Sequence, residues 1–227
     1  MTGRDAGLGA LSPRDGYRLW APRYSAETAI SFLEDRLVAS LGTSLAGRTL
    51  LDVGCGTGRR LREAGAAHAV GVDLTPEMLA MADGRASLAA GDVRALPLAD
   101  ATFDVVWCRL VIGHLRELDA AYAELARVCR PGGTVVVTDF HPDATAAGHR
   151  RTFRDASGVV RELEHHVHTP DAHATAAARA GLTQGARLDG EVGATVRPFY
   201  EAAGRVDAYE AQRGLRVVLA LSFEKPS

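Results

Sequence analysis

The chain of 227 residues has little lysine, little cysteine, no excess of either charge and no long apolar run, and each shortage excludes something. Lysine occurs once, at Lys225, so nearly all basic residues are arginine, which reads as coding bias rather than function. Lys plus Arg total 26 against 28 for Asp plus Glu, a net charge of −2 that removes the cation excess on which polyanion binding leans. Nucleic acid is therefore not an expected partner. The three cysteines, Cys55, Cys108 and Cys129, are an odd set without metal-ligand spacing, which fits a reducing compartment better than a disulfide framework. No apolar stretch approaches about 18 residues and no basic-then-apolar leader opens the chain, so a cytoplasmic protein without a membrane partner is expected. No internal repeat or low-complexity tract is present. What is there is an ordinary globular composition, 47% hydrophobic and 24% charged, sufficient for one well-covered core.

The first sixteen residues, rich in Gly, Arg and Asp, are expected to be loose, with order beginning near "YRLWAPRYS". From Ala26 the residues Ile30, Leu33, Leu37, Val38 and Leu41 recur at helical spacing up to Gly42. "TLLDV" reads as a strand, followed by a glycine turn and a helix, "TGRRLREAG", closed by Gly65. "HAVGVDL" is a second strand; Thr75, Pro76 and Glu77 then supply an N-cap, an N1 proline and a first-turn acid for a helix through Ala82. "ASLAAGD", "FDVVWC" and "TVVVTDF" are further strands, with a helix over 116–130 before the last. Beyond Phe140 the pattern loosens: a helix starts at Thr169, a strand is expected near 183–189, and "LRVVLALSFE" is a clear strand. Strands that are near-continuous apolar runs, alternating with helices, predict an α/β fold. The expected form is a Rossmann-like, seven-stranded, mostly parallel sheet with helices on both faces and an antiparallel edge strand. Ligands in such sheets gather beyond the carboxyl ends of the strands.

"LLDVGCGTGRR", Leu50 to Arg60, places Gly54, Gly56 and Gly58 between a strand and a helix, where bare backbone lets a ligand approach closely. The spacing is G-x-G-x-G; a dinucleotide fingerprint would be G-x-G-x-x-G, and Arg59 stands at its last position. Asp52 argues against a pyrophosphate as well, because an anion beside the loop repels phosphate and pairs with an ammonium group. Asp73 ends the second strand, where an acid accepts both hydroxyls of a ribose. Asp92 ends the third strand, its carboxylate suited to an exocyclic amine of adenine and the Val93 N–H to a ring nitrogen. Each feature alone has a structural reading, as a cap or a turn. Together, in this order, they describe a pocket for S-adenosylmethionine.

The chain resembles the class I S-adenosylmethionine-dependent methyltransferases, in their compact small-molecule branch, on "LLDVGCGTGRR", "VGVDLTPEML", "GDVRALPLADATFDVV" and "LARVCRPGGTVVVTDF". The resemblance implies that Asp52, Gly54, Cys55, Gly56 and Gly58 hold the methionine part of the cofactor and Asp73 the ribose, with Asp92 and Val93 on the adenine. It also implies that Leu74 packs on the adenine face and that Cys108 borders the site. "YRLWAPRYS" is similar to an opening shared by many members, whose aromatics close over the cofactor, which gives Tyr17, Trp20 and Tyr24 a lid role; Ser25 stands where those members have an acid. The implied organisation is a flexible 1–16 and a single methyltransferase domain over 17–227. Within it lie lid helices at 17–45, a cofactor-binding core at 46–140, an acceptor cap at 141–213 and a terminal edge strand at 214–227. A monomer or homodimer is expected.

Cys108, Arg109 and Leu110 stand where enzymes that methylate planar amines carry an Asn/Asp-Pro-Pro-aromatic motif, and Asp139-Phe140 does not supply the Asp-Asn pair of metal-dependent catechol enzymes. Oxygen or carbon of a small-molecule acceptor is the expected methyl acceptor, with a place in specialised metabolism. His141 directly follows the fifth strand, and a neutral imidazole there is a candidate base; its structural alternative is a cap. "HTPDAHATAAARAGL" is similar to a segment that lines acceptor pockets, making His168 a second candidate base or pocket wall. Glu162, Glu164, His166 and His168 share one face of an extended segment, yet lack the spacing of a metal site, and no metal is expected. His114 reads as structural, although it follows the fourth strand. Arg150, Arg151 and Arg154 read as a solvated cluster, or as a site for a substrate carboxylate. Two rival functions stand beside methyl transfer to a small molecule: an RNA or protein methyltransferase, for which the sequence shows no basic channel or stacking platform, and a cofactor-binding protein that scaffolds or assists a rearrangement without transferring methyl.

Overall fold

The computed structural model describes residues 9–24, 27–84 and 87–227. Ser25, Ala26 and Ala86, used above to read the lid and two element starts, lie outside those residues.

Ser12 caps the first helix, α1 (Pro13–Trp20), its hydroxyl accepting from the Asp15 N–H at 3.2 Å. Leu11 already pairs with Leu163 and α1 begins at Pro13, so residues 11–16 are not loose as expected; residues 1–8 of that expectation lie outside the described residues. In α2 (Ala29–Ser40) a reciprocal box between Thr28 and Ser31 satisfies the first-turn donors. The alternating half follows as β1 (Thr49–Val53), α3 (Arg59–Glu63), β2 (His68–Asp73), α4 (Pro76–Leu79), β3 (Ser87–Ala90), β4 (Phe103–Arg109), α5 (Asp119–Val128) and β5 (Cys129–Phe140). The looser half contributes α6 (Pro142–Ala146), a hairpin of β6 (Thr152–Arg154) and β7 (Val160–Glu162), α7 (Pro170–Arg179) and β8 (Thr183–Glu191). It closes with α8 (Arg197–Ala202), α9 (Val206–Gln212) and β9 (Arg216–Glu224).

The main sheet runs β3-β2-β1-β4-β5-β9-β8, with β1 to β5 parallel and β9 antiparallel to both of its neighbours. The expected seven-stranded, mostly parallel sheet is present. Its closing strand lies one position in from the edge, and β8 is outermost. The reason is visible in composition: Val217 to Leu221 are all buried, whereas most of β8 is exposed and suits a rim.

Side chains alternate along each strand, and this divides the core into two layers. Leu51, Val53, Val106, Val135 and Val137 face α5 and α7, packing with Tyr122, Leu125 and Ala176. Leu50, Val105, Trp107 and Val136 face the opposite way, against Val38 of α2 and Leu61 of α3. A third group joins Leu33 of α2 to Ala144, Val196, Tyr209, Val217 and Val218. Residues 194–213 therefore pack behind α2, and of the expected acceptor cap at 141–213 only Glu164 and His166 reach the main cavity. Among the described residues no helix is long and apolar enough to cross a membrane.

Candidate active site

At the carboxyl ends of β1, β2 and β4 lies a cavity of about 520 Å³, bordered by the glycine turn, Asp73, Asp92, the segment 109–117, Tyr17 of α1, and Glu164 with His166. The turn after β1 is drawn onto β2: the N–H groups of Gly54 and Cys55 both donate to the Val72 carbonyl, at 2.7 and 3.1 Å. Gly54 has φ +76°, and a Cβ there would stand 2.1 Å from Val111 Cγ2. Gly56 has φ +58°, a left-handed backbone that favours glycine, and a Cβ there would stand 3.2 Å from Met78 Cε, so the turn passes most easily with both positions bare. The Gly56 N–H donates to Asp73 Oδ2 at 2.8 Å and the Thr75 N–H to Oδ1 at 2.8 Å. Asp73 is thereby aimed into the cavity with acceptor capacity left on each oxygen. Burial nevertheless lifts its pKa above the ordinary carboxylate value.

Two fully buried acids lie near this turn. Glu34 of α2 accepts from Arg109 Nε and Nη2, both at 2.7 Å, from Arg60 Nη2 at 2.8 Å and from the Thr138 hydroxyl at 2.8 Å. Asp35 adds contacts to Arg59, Arg60 and Arg109, so α2 is riveted to the ends of β4 and β5 and to α3. The sequence held a signal for this, since Glu34 falls four residues from both Ile30 and Val38, on the apolar stripe of its helix. Asp52 contrasts with it: both of its oxygens are buried and neither has a hydrogen-bond partner. Burial pushes its carboxyl up to about 6, against the opposing pull of Arg60 and Arg109.

The remaining expected cofactor residues divide. Leu74, Val93, Tyr24 and Tyr17 line the cavity with Asp92. The Asp92 carboxylate is occupied by Arg94, which donates from its backbone N–H at 2.9 Å and from Nη2 at 2.6 Å, and this bonding holds the acid below the ordinary carboxylate range. Burial raises the Tyr24 hydroxyl to about 12. Cys55 and Cys108 do not border the cavity. The Cys55 thiol points into the α3 side of the core, near Gly71 and Leu61, and Cys108 is enclosed within β4; burial raises both thiols. Gly58 is set back too, its N–H donating to Cys55 O at 2.9 Å and its left-handed φ opening α3.

Both candidate bases fall elsewhere. His141, directly after β5, does not border the cavity; its Nδ1 accepts from the Asp143 N–H at 3.1 Å and its Nε2 lies 3.8 Å from Asp189. It is the N-cap of α6, the structural alternative set out above. His168 Nε2 donates to the Leu115 carbonyl at 2.8 Å, and its ring packs on His173; it braces the segment that walls the cavity from behind. His114 faces the cavity, together with His166, whose N–H donates to Gly113 O at 2.7 Å. Among the described residues no cluster of His, Cys, Asp or Glu is arranged to hold a metal ion.

Residues 51–137, which span the glycine turn through β5, match the family model described as a methyltransferase domain. Over those residues the chain carries a methyltransferase domain. Among curated relatives, it is 37% identical over 153 residues to malonyl-(acyl-carrier protein) O-methyltransferase of Serratia marcescens, covering 65% of this chain and 57% of that one. It is 43% identical over 108 residues to ubiquinone/menaquinone biosynthesis C-methyltransferase UbiE of Roseobacter denitrificans, covering 42% and 43%. The chain thus spans about half the length of the curated relatives it matches. The domain's fold is shared with the (4+2)-cyclase SpnF, at 22% identity and a TM-score of 0.67, over 97% of this chain and 98% of that one. S-adenosylmethionine is the cofactor such a domain implies, and the residues here fit it: a bare cradle at Gly54 and Gly56, an acid at Asp73 facing the cavity, and, buried behind the turn and not bordering the cavity, an orphaned acid at Asp52.

Proposed function

We propose that this chain transfers the methyl group of S-adenosylmethionine to oxygen or carbon of a small organic acceptor. The observation that carries this reading is that one cavity, within the usual range for small-molecule sites, joins the glycine turn to a second, imidazole-lined end. When bound, the cofactor supplies a methyl carbon made electrophilic by its sulfonium. The chain's residues then have separate tasks. The backbone at Gly54 and Gly56 gives close passage to the methionine part, and the Asp52 carboxylate favours its ammonium group. Asp73 accepts from the ribose hydroxyls. Asp92, with Val93, receives the adenine once Arg94 turns outward, Leu74 and Met78 pack on the ring, and Tyr24 closes over it. Positioning of the acceptor against the methyl is the main catalytic contribution such a site makes. We further infer a small acceptor rather than nucleic acid, given the net charge of −2, and a cytoplasmic setting, given its three free, buried cysteines.

Because the fold also carries a cyclase, the reaction is settled by product. Purified protein incubated with labelled S-adenosylmethionine and a panel of phenols, enols, acids and amines is expected to yield a product heavier by one methylene. Tight binding of the cofactor and its demethylated form, with no labelled product across the panel, would replace methyl transfer by the scaffold or rearrangement reading. Binding of a nicotinamide nucleotide in preference to both would overturn the cofactor assignment.

A further inference from the structure

At the acceptor end, three side chains far apart in sequence are linked in a line. The His114 ring places Nδ1 at 3.1 Å from the Glu164 carbonyl, which only accepts, so Nδ1 carries the proton. Burial, reinforced by Arg151 and by the nearby His165 and His166, holds the imidazole pKa well below its ordinary value and keeps the ring neutral. Its Nε2 is then an acceptor, and the partner at 3.2 Å is the Tyr17 hydroxyl. Tyr17 Oη in turn accepts from Arg151 Nη2 at 2.6 Å. The same Arg151 nitrogen donates to the carbonyl of Leu110 at 3.0 Å, a cavity residue in left-handed conformation at φ +58°. That backbone is held from its other side, because the Leu110 N–H donates to both Oγ1 and O of Thr138. Tyr17 and His114 line the cavity; Arg151 stands behind them, over the Phe140 ring.

Resting on the methyl-transfer reading above, we propose that Tyr17 and His114 form a proton relay, positioned by Arg151, that deprotonates an acceptor hydroxyl, and that the acceptor is accordingly a phenol or enol. The acceptor O–H donates to Tyr17 Oη. As its proton moves to Oη, the tyrosine's own proton moves to His114 Nε2, giving an imidazolium whose Nδ1–H stays on the Glu164 carbonyl. The freed electron pair on the acceptor oxygen forms the bond to the methyl carbon, while the carbon–sulfur pair remains on sulfur. The imidazolium later returns its proton to solvent. A negative charge passing through Tyr17 lies against the Arg151 guanidinium at every stage. A carboxylic acid, already ionised at neutral pH, needs no such relay. Arg151 touches no reacting atom and is a positioning residue.

The groups facing the relay are Arg151 from the segment before β6, His165, His166 and Glu164 from the segment after β7, Trp20 of α1 and Tyr24 just after it. The test is Tyr17→Phe against the parent protein. With a phenol acceptor the parent kcat/KM should be flat with pH above about 6.5, the ordinary histidine value. Tyr17→Phe should lose about 10²–10⁴-fold at pH 7 and rise tenfold per pH step toward the acceptor's own pKa, with cofactor affinity by calorimetry within a few-fold of the parent. Arg151→Met should give a smaller loss of the same pH shape. A readout independent of turnover is the ring 15N spectrum of His114, expected to show Nδ1–H and unprotonated Nε2 at pH 7 without cofactor. A proton on Nε2, an unchanged pH profile in Tyr17→Phe, or methylation confined to carboxylates, amines or carbon would overturn the relay and leave the methyltransferase reading intact. Cofactor binding without any methylated product would overturn both.

Discussion

Glu34 and Asp52 are both wholly buried acids beside Arg60 and Arg109, and they have opposite fates. Glu34 receives four hydrogen bonds from side chains; Asp52 receives none. A saturated carboxylate belongs to the structure, and its donors come from α3, β4 and β5, so it fastens α2 to the core. An unsatisfied one is costly to keep and makes sense where a ligand supplies the missing partner. Evolution of a site is thus legible in hydrogen-bond accounting even before any ligand is placed.

That contrast can be broken most forcefully at Glu34. Glu34→Ala leaves two buried guanidinium groups facing an empty space, and urea denaturation should show a loss of about 3–5 kcal/mol. At Asp52 the expected effect on stability has the opposite sign. Its folded pKa of about 6 lies above the ordinary 3.8, so between those values the folded chain holds a proton that the unfolded chain has released. Stability therefore falls as pH rises through that window and stays low above it. Asp52→Asn should gain on the order of 2–3 kcal/mol at pH 7 and little near pH 4 in denaturant titrations, while losing affinity for S-adenosylmethionine. In the parent protein, affinity should rise with pH up to about 6, and calorimetry in buffers of different ionisation enthalpy should detect a proton released on binding below that pH. Gly54→Ala, forced into φ +76° and against Val111, should cost about 2 kcal/mol and weaken cofactor binding more than it weakens folding. The smallest effect is expected from Thr138→Val, about 1 kcal/mol of stability by thermal melting, because it removes one of the four donors to Glu34 and one of two acceptors of the Leu110 N–H, leaving both arginines and the Thr138 carbonyl in place.

The two ends of the cavity differ in how far the sequence discloses them. At the glycine-turn end, Gly54, Gly56 and Asp73, with Asp52 buried behind them, lie within 22 residues of chain, on a strand, a turn and the next strand, and local pattern suffices to place them. Cys55 and Gly58 were drawn in by the same proximity, although the backbone turns one side chain into the core and spends the other residue on a helix start. At the acceptor end the meeting of residues is long-range. Tyr17 and His114 are 97 positions apart and Tyr17 and Arg151 are 134 apart, so no spacing rule connects them. His141 and His168 suited the chemistry by type, but the first does not border the cavity and the second gives its N–H to a carbonyl. The main strands were readable from their apolar runs. The hairpin β6–β7 and helices α6, α8 and α9 were not, being three to seven residues long and too short to show a period.

The position of β9 between β5 and β8 has a consequence for synthesis. While a nascent chain is emerging, β1 to β5 can assemble as soon as they are made, but β5 then presents an open edge and β8 has nothing to pair with. Only when residues 216–224 arrive can the two be joined, so the folding chain carries a sticky flank until a late moment. A ribosome stalled just before Arg216 would hold a half-sheet in need of a chaperone.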